Sequence, residues 1–323
     1  MPAIETTALT KRYGEDVIAV DDLDLTVEEG EVFGFLGPNG AGKSTTINLL
    51  LDFVRPTEGS ATVLGYDVQR EPKTIRSHIG VLPEGATLYE RLTGREHLEW
   101  VIDNKGSDDD PDDLLDRVGL EPEAAARSAG GYSKGMAQRL GFAMALVGDP
   151  DLLILDEPSS GLDPTGMQEL REIITAEADR GTTVFFSSHI LGEVEAVCDR
   201  VGIMNDGRLV ATGTLDALRE NLDLAAAISL DVERVPDALV ADLETHEGVH
   251  SVTVDGSTIT ISCATTPVKY DVVTQVGAAT TVRDIVSEDT SLERLFNTYT
   301  NGEQSGESDA DAGLADVETE VSA

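Results

Sequence analysis

Apolar and polar residues alternate in short runs over residues 3–36, as in Leu23–Val27, and Glu29-Gly30 is a turn signal. This alternation predicts two or three strands of a small antiparallel sheet with one face in the core. Val32–Leu36 is a continuous apolar run typical of a buried strand, and a helical pattern begins near Gly42. The N-terminal part therefore predicts a sheet that leads into a strand, a loop and a helix.

Strand and helix patterns alternate through the middle of the chain. Between residues 90 and 150 the apolar positions recur at helical spacing, and Thr93 with Glu96 has the pattern of a capping box. Leu152–Leu155 and Thr182–Phe186 predict two more buried strands, with a helix at Met167–Ala178 between them. Alternation of this kind is typical of an α/β fold with a parallel sheet.

The order of elements changes after residue 222. Residues 226–287 predict strand, helix, strand, strand, helix and strand, which is the order of a ferredoxin-like α+β unit. A further helix is predicted at Ser291–Tyr299, and the last residues, seven of them acidic and none basic, are expected to be disordered. The C-terminal unit has no catalytic constellation, which favours a dimer-stabilising or regulatory role. The predicted domains are 1–222, 223–300 and the acidic tail 301–323.

The chain is strongly acidic. Its 323 residues include 61 acidic and 23 basic ones, which gives a net charge of −38. Mutual repulsion of these charges opposes compaction in dilute buffer, whereas molar salt screens it. We therefore hypothesise a salt-rich cytoplasm, as in a haloarchaeon. The charge also argues against a nucleic-acid partner bound through a broad basic face.

Targeting and cysteine patterns restrict the class of protein further. The sequence has no stretch of eighteen apolar residues and no apolar run of a signal peptide at its N-terminus. We expect a cytoplasmic protein without direct membrane insertion. Cys198 and Cys263 lie far apart and lack CxxC spacing, which argues against a disulfide framework or a structural zinc site.

A glycine-rich segment directly after Val32–Leu36 fits the phosphate-loop pattern GxxxxGK followed by Ser or Thr. Its residues are Gly37, Pro38, Asn39, Gly40, Ala41, Gly42, Lys43, Ser44 and Thr45. Glycines let backbone N–H groups turn towards a phosphate at the positive end of a helix, Lys43 adds a mobile charge, and the Ser44 hydroxyl can bind Mg²⁺. The segment predicts a nucleoside triphosphate ligand with Mg²⁺.

Polar residues follow two later strands. Asp156 and Glu157 come at the end of an apolar run, where carboxylates can hold Mg²⁺ and orient an attacking water. His189 follows the next strand, although a lone histidine in such a position usually has a packing or surface role.

Two further sites suit nucleotide binding. Ser133 and Gly135 lie at the predicted start of a helix, where free backbone donors and the helix dipole favour an anion. Tyr13 lies in the first connection of the N-terminal sheet, and its ring suits stacking on a purine and packing in the protein about equally.

The order of these motifs resembles that of the ATP-binding subunits of ABC transporters. The motifs are Gly37–Thr45, a signature at Tyr132–Met136, Asp156-Glu157, Ser160–Asp163 and His189. Five motifs in this order make a specific match. The resemblance implies a P-loop ABC ATPase domain with a RecA-like core, an antiparallel β subdomain and a helical subdomain.

The resemblance also implies a nucleotide-sandwich homodimer that binds ATP and Mg²⁺. In such a dimer, Ser133 and Gly135 of one subunit close over the γ-phosphate held by the phosphate loop of the other. The other implied roles are adenine stacking for Tyr13, phosphate contact for Lys43, Thr45 and His189, Mg²⁺ binding for Ser44 and Asp156, water activation for Glu157, and nucleotide contact for Asp163.

Two motifs depart from the usual family pattern. Glutamine usually follows the strand that here reads Ile79–Pro83, but this chain has Glu84, and whether Glu84 binds the metal is open. The signature, commonly Leu-Ser-Gly-Gly-Gln, reads Tyr132-Ser133-Lys134-Gly135-Met136. Both variants resemble the export branch, in drug-efflux and polysaccharide-export systems, whose ATPases pair with a separately encoded permease. The implied location is peripheral, on the inner face of the cell membrane.

Two other functions would explain the phosphate loop by itself. Soluble ABC ATPases that act on ribosomes or DNA usually have two cassettes or a long coiled coil, whereas this chain has one phosphate loop and no heptad insertion. A P-loop small-molecule kinase would explain the loop but not the signature. Co-sedimentation with ribosomes would support the first alternative, and co-purification with a membrane subunit would support a transporter.

Overall fold

A computed structural model describes residues 1–14, 16–221, 226–263 and 266–288. The strands are β1 (Pro2–Tyr13), β2 (Val17–Glu28), β3 (Val32–Leu36), β4 (Glu58–Val63), β5 (Tyr66–Asp67), β6 (Ile79–Leu82), β7 (Leu152–Asp156), β8 (Thr183–Ser188), β9 (Arg200–Asn205), β10 (Arg208–Gly213), β11 (Ala226–Val232), β12 (Val249–Asp255), β13 (Thr258–Cys263) and β14 (Val282–Glu288). The helices are α1 (Lys43–Leu50), α2 (Pro72–His78), α3 (Gly94–Lys105), α4 (Pro111–Arg117), α5 (Pro122–Ala125), α6 (Lys134–Leu146), α7 (Pro164–Asp179), α8 (Leu191–Val197), α9 (Leu215–Asn221), α10 (Asp237–Glu244) and α11 (Thr266–Ala279).

The N-terminal sheet is antiparallel and has the strand order β2-β1-β4-β5. The predicted small antiparallel sheet is confirmed, although the short alternating runs join into strands β1 and β2 of 12 residues each. Their pairing shifts register between Thr6 and Leu9, and Ala8 has a φ of 47°. Such an irregularity lets pairing continue through a break in the alternation. Tyr13 consequently ends β1 instead of lying in the connection that follows it.

The central sheet has six strands in the order β10-β9-β3-β8-β7-β6. Its strands β3, β6, β7, β8 and β9 are parallel, and β10 runs antiparallel to β9. All residues of β3 and β7 are buried, because apolar clusters cover both faces of the sheet. The carboxyl ends of β3, β6, β7 and β8 therefore meet at one edge.

Helices α3 to α6 form the helical subdomain. The predicted capping box is confirmed, since Thr93 N donates to Glu96 Oε2 over 2.7 Å and Glu96 N donates to Thr93 Oγ1 over 3.2 Å. At the other end of α3, Lys105 Nζ donates to the carbonyl oxygens of Ile79 over 3.0 Å and Val147 over 2.7 Å. Burial lowers the pKa of Lys105. One ammonium group thus ties α3 to the start of β6 and the end of α6.

The C-terminal strands form a third sheet, which is antiparallel and has the order β12-β13-β11-β14. This order and the element sequence confirm the predicted ferredoxin-like topology. Its core includes Leu230, Ile261 and Val272. The predicted helix Ser291–Tyr299, the tail 301–323 and the junction 222–225 lie outside the described residues, so the domain boundaries stay predictions.

The described helices are short. The longest of them, α7, has 16 residues, whereas a membrane span needs about 20 apolar residues. Within the described part of the chain, no helix has both the length and the apolar character to cross a bilayer.

Candidate active site

The phosphate loop connects β3 to α1 through a tightly packed backbone. Gly42 precedes the first residue of α1 and has a φ of 108°, a conformation that favours glycine. A Cβ at Gly42 would lie 2.3 Å from Ala19 O, and one at Gly37 would lie 2.7 Å from Met204 O. The loop therefore fits between two backbone segments only because both positions lack a side chain.

Lys43 spans the loop and the neighbouring strand end. Its side chain is buried, and Nζ donates to Gly37 O over 2.8 Å. The same Nζ lies 3.1 Å from Glu157 Oε1. The lysine of the loop and the carboxylate after β7, which are 114 positions apart in sequence, thus form a buried ion pair in the fold.

Asp156 brings two hydroxyl groups together at the end of β7. Its Oδ1 accepts hydrogen bonds from Ser187 Oγ over 2.6 Å and from Ser44 Oγ over 3.3 Å. A hydroxyl oxygen beside a carboxylate oxygen is the hard-oxygen donor set that Mg²⁺ prefers, with waters and phosphate oxygens as its other ligands. The residues at this position therefore fit Mg²⁺. No group of three or more His, Cys, Asp or Glu suited to a metal occurs among the described residues.

Glu157 lies between Lys43 and His189. Its Oε2 is 2.7 Å from His189 Nδ1, and its backbone N donates to Ser187 Oγ over 2.9 Å. Glu157 has a φ of 48°, which is a strained conformation for a residue with a side chain. Strain of this kind concentrates at functional sites, where the surrounding structure holds it in place. The predicted strand Thr182–Phe186 in fact extends to Ser188, so His189 follows it directly.

These side chains face one open cleft of about 310 Å³. It is lined by Ala19, Pro38, Asn39, Gly40, Gly42, Lys43, Ser44, Thr45, Glu84 and Glu157. Asp156 and His189 reach it through their contacts with Ser44 and Glu157. Most of the predicted site residues are thus together in one place, and Glu84 from the end of β6 is among them.

Tyr13, Ser133, Gly135 and Asp163 are predicted site residues that lie outside the cleft. Tyr13 is 45% exposed, and Lys11 Nζ lies 5.0 Å from its ring centre. Ser133 caps α6, with its hydroxyl accepting from Met136 N, and Gly135 lies in the first turn of that helix. Asp163 caps α7 by accepting from Gly166 N.

Sequence reasoning missed one residue of the site, Ser187. Its hydroxyl donates to Asp156 Oδ1 and accepts from Glu157 N, so it orients both carboxylate residues. The only signal in the sequence was its position two residues before His189.

Comparison with known proteins identifies the family. A profile for the ABC transporter family matches residues 20–160. Over 222 residues, which cover 67% of this chain and 71% of the relative, the chain is 43% identical to the bacitracin transport ATP-binding protein BcrA of Bacillus licheniformis. This chain belongs to the ATP-binding proteins of ABC transporters. It is also 43% identical, over 68% of each chain, to the daunorubicin/doxorubicin resistance ATP-binding protein DrrA of Streptomyces peucetius.

Solved structures of this family have the same fold. The ABC ATPase superimposes on the ATP-binding subunit of an ABC transporter with a TM-score of 0.62 and 33% identity, over 68% of this chain and 93% of the other. A dimeric bacterial ABC transporter cassette matches with a TM-score of 0.60 and 26% identity, over 66% of this chain and 98% of the other. The expected ABC ATPase fold is therefore confirmed, and the chain is an ATPase that uses ATP with Mg²⁺.

Proposed function

We propose that this ABC ATPase powers the export of a substrate through a separately encoded permease, and that it hydrolyses ATP in the cleft described above. The observation that supports this assignment is the line of contacts from Lys43 through Glu157 to His189, which joins the loop after β3 to the ends of β7 and β8. A cation, a carboxylate and an imidazole that contact one another beside a phosphate loop suit the hydrolysis of a phosphoanhydride.

Each side chain has a definite part in this proposal. The N–H groups of the phosphate loop and Lys43 hold the phosphates, and the nucleotide competes with Glu157 for Lys43 because both are anionic. Ser44 and Asp156 would hold Mg²⁺, with Glu84 as a further ligand. When bound, Mg²⁺ neutralises charge on the terminal phosphates. Glu157 then accepts a proton from the attacking water, and His189 holds Glu157 Oε2 in position.

A second copy of the chain would complete the site. The cleft has no lining residue from α6, and Ser133 and Gly135 remain at the start of that helix. We infer that they contact the γ-phosphate held by the partner subunit in a sandwich dimer, while Tyr13 stacks on the adenine. Free backbone donors at the start of α6 suit this task.

The Glu157→Gln variant tests this assignment. The variant should bind ATP with an unchanged dissociation constant, lose at least about 100-fold in kcat, and accumulate as an ATP-dependent dimer, because the amide cannot accept the proton. Steady-state kinetics, ATP titration and light scattering measure the three quantities. Glu172→Gln, an exposed position on α7, is the matched control. If Glu157→Gln hydrolyses ATP at the parent rate, Glu157 is not the residue that accepts the proton from water.

An apolar groove next to Glu84 suits the permease contact. The groove, about 430 Å³ in volume, lies between the sheet and the helical subdomain, and its lining includes Phe53, Leu82, Leu88 and Met144. Phe53 is 63% exposed and lines this groove together with other apolar side chains. A contiguous exposed apolar surface of this kind is typical of a protein contact site. We propose that a cytoplasmic helix of the permease packs there. Because β6 leads directly from the groove to Glu84, movement of that helix would follow changes in the cleft.

The Phe53→Ser variant tests this contact. We expect it to lower co-purification of the permease about tenfold, since a large apolar contact is lost, while the ATPase rate of the isolated subunit is retained. Tyr270→Ser is the control, because Tyr270 is also exposed but lies on α11. Equal recovery of the permease with both variants would contradict the proposed docking surface.

A further inference from the structure

Glu193 on α8 joins two segments that flank the candidate catalytic residues. Its side chain is only 5% exposed, and Oε2 accepts hydrogen bonds from Ser159 Oγ over 2.6 Å and from Ser188 Oγ over 3.0 Å. Both serines are buried. One carboxylate oxygen therefore ties the loop after β7 to the end of β8.

The two serines lie next to the pair that the proposed mechanism uses. Ser159 is two residues after Glu157, and Ser188 directly precedes His189. Glu157 Oε2 and His189 Nδ1 are 2.7 Å apart. The chain thus forms a closed ring in which Glu193 bridges one side and the Glu157–His189 contact bridges the other. A change at Glu193 would let both residues shift relative to each other.

Stability alone does not explain a glutamate at this position. Burying a carboxylate costs free energy, and an apolar residue of similar size is often as stable or more stable. The second oxygen, Oε1, is buried and has no hydrogen-bond partner among the described residues. Arg171 of α7 lines the same small cavity, of about 10 Å³. A buried carboxyl group with one unsatisfied oxygen points to a task other than packing.

We propose that Glu193 is a positioning residue for ATP hydrolysis, which sets the distance between Glu157 and His189 through Ser159 and Ser188. The inference rests on the roles proposed above for Glu157 and His189. Glu193 does not touch the reacting atoms, and it acts through the two hydroxyl groups. Its removal therefore affects the catalytic step and leaves the phosphate loop unchanged.

The test compares Glu193→Met with Glu193→Gln in the full-length chain. Met keeps the side-chain volume but cannot accept a hydrogen bond from either hydroxyl. We therefore expect kcat to fall about 10- to 100-fold, which is the effect of misplacing a catalytic group by roughly 1 Å. The ATP dissociation constant should remain within about twofold of the parent. Gln offers an amide oxygen to the same hydroxyls and should restore kcat to within about threefold. Glu195→Met, at an exposed position of the same helix, is the control and should have the parent rate.

Ser159→Ala and Ser188→Ala keep the proposal testable if Glu193→Met does not fold. Each should lower kcat about three- to tenfold and leave the ATP affinity unchanged. When a serine variant is combined with Glu193→Gln, the double variant should have about the same kcat as the serine variant by itself. A parent kcat in Glu193→Met, or in both serine variants, would overturn the inference if Glu157→Gln is inactive. An active Glu157→Gln would overturn this inference together with the proposed role of Glu157.

Discussion

At the scale of single side chains, Glu84 adds a carboxyl group to the cleft. It lines the cleft together with Glu157 and Lys43, whereas the family usually has an uncharged glutamine at this position. ATP brings several negative charges to the same place, so an ionised Glu84 opposes binding unless a cation lies between them. Glu84 should therefore make ATP binding in this protein unusually dependent on Mg²⁺.

The Glu84→Gln variant should change two quantities in opposite directions. We expect the Mg²⁺ concentration for half-maximal hydrolysis to rise about tenfold, or about 1.4 kcal/mol, because a carboxylate ligand is lost. ATP binding in EDTA should tighten, because the repulsion is removed. Titration of each ligand measures both effects, and Glu90→Gln, an exposed position after the same strand, is the control. An unchanged or lower Mg²⁺ requirement would show that Glu84 is not a ligand.

Among the elements, β6, α3 and α6 depend on one another through Lys105. Its ammonium group contacts the carbonyls of Ile79 and Val147, so it holds the strand that leads to Glu84 next to the end of the helix that begins at Ser133. Hydrogen bonds from a charged donor contribute more than neutral ones. The helical subdomain and the sheet are therefore joined by a polar contact in addition to their apolar core.

The Lys105→Met variant should lower the free energy of unfolding by about 1–2 kcal/mol. The methylene packing is retained, but two carbonyl oxygens lose a charged donor. Urea denaturation followed by circular dichroism measures the change. Lys73→Met, an exposed position on α2, should have less than about 0.5 kcal/mol effect. If the two variants have the same free energy of unfolding, the hydrogen bonds of Lys105 to the two carbonyl oxygens do not contribute to stability.

The whole molecule carries far more negative charge than it can pair. Arginines already contact carboxylates in many places, including Arg117 with Glu177, Arg200 with Glu31 and Arg208 with Asp21. Even complete pairing of the 23 basic residues would leave 38 of the 61 acidic ones without a cation. Among the described residues, only Asp156, Glu157, Glu177 and Glu193 are buried acidic ones, and the repulsion between the exposed carboxylates is sensitive to salt.

The melting temperature should consequently rise with salt. Between about 0.1 M and about 2 M KCl the Debye length falls from ~10 Å to below ~3 Å, which removes most of the repulsion. We expect an increase of at least about 5 °C, or about 1–2 kcal/mol for a chain of this size. Differential scanning calorimetry at a fixed protein concentration measures it. Identical melting temperatures in both buffers would contradict the hypothesis of adaptation to a salt-rich cytoplasm.

Motifs of consecutive residues in the sequence predicted much of this fold. Gly42-Lys43-Ser44 between a strand and a helix was recognisable because steric and hydrogen-bonding demands on the loop are local, and the Thr93 capping box is equally local. The ferredoxin-like order followed from element lengths and turn signals. The lengths of the N-terminal strands could not be predicted in this way. The register shift near Ala8 depends on the partner strand and not on the alternation within β1.

Local sequence patterns do not predict the contacts between segments that are distant in sequence. The pairing of Lys43 with Glu157, the bridge from Ser187 to Asp156 and the two serines on Glu193 all depend on which strands are neighbours in the central sheet. A sequence motif reports the chemistry that a residue can perform, since that depends on the residue and its immediate neighbours. The distances that make the chemistry possible depend on long-range packing, which brings the carboxyl ends of β3, β7 and β8 to one edge.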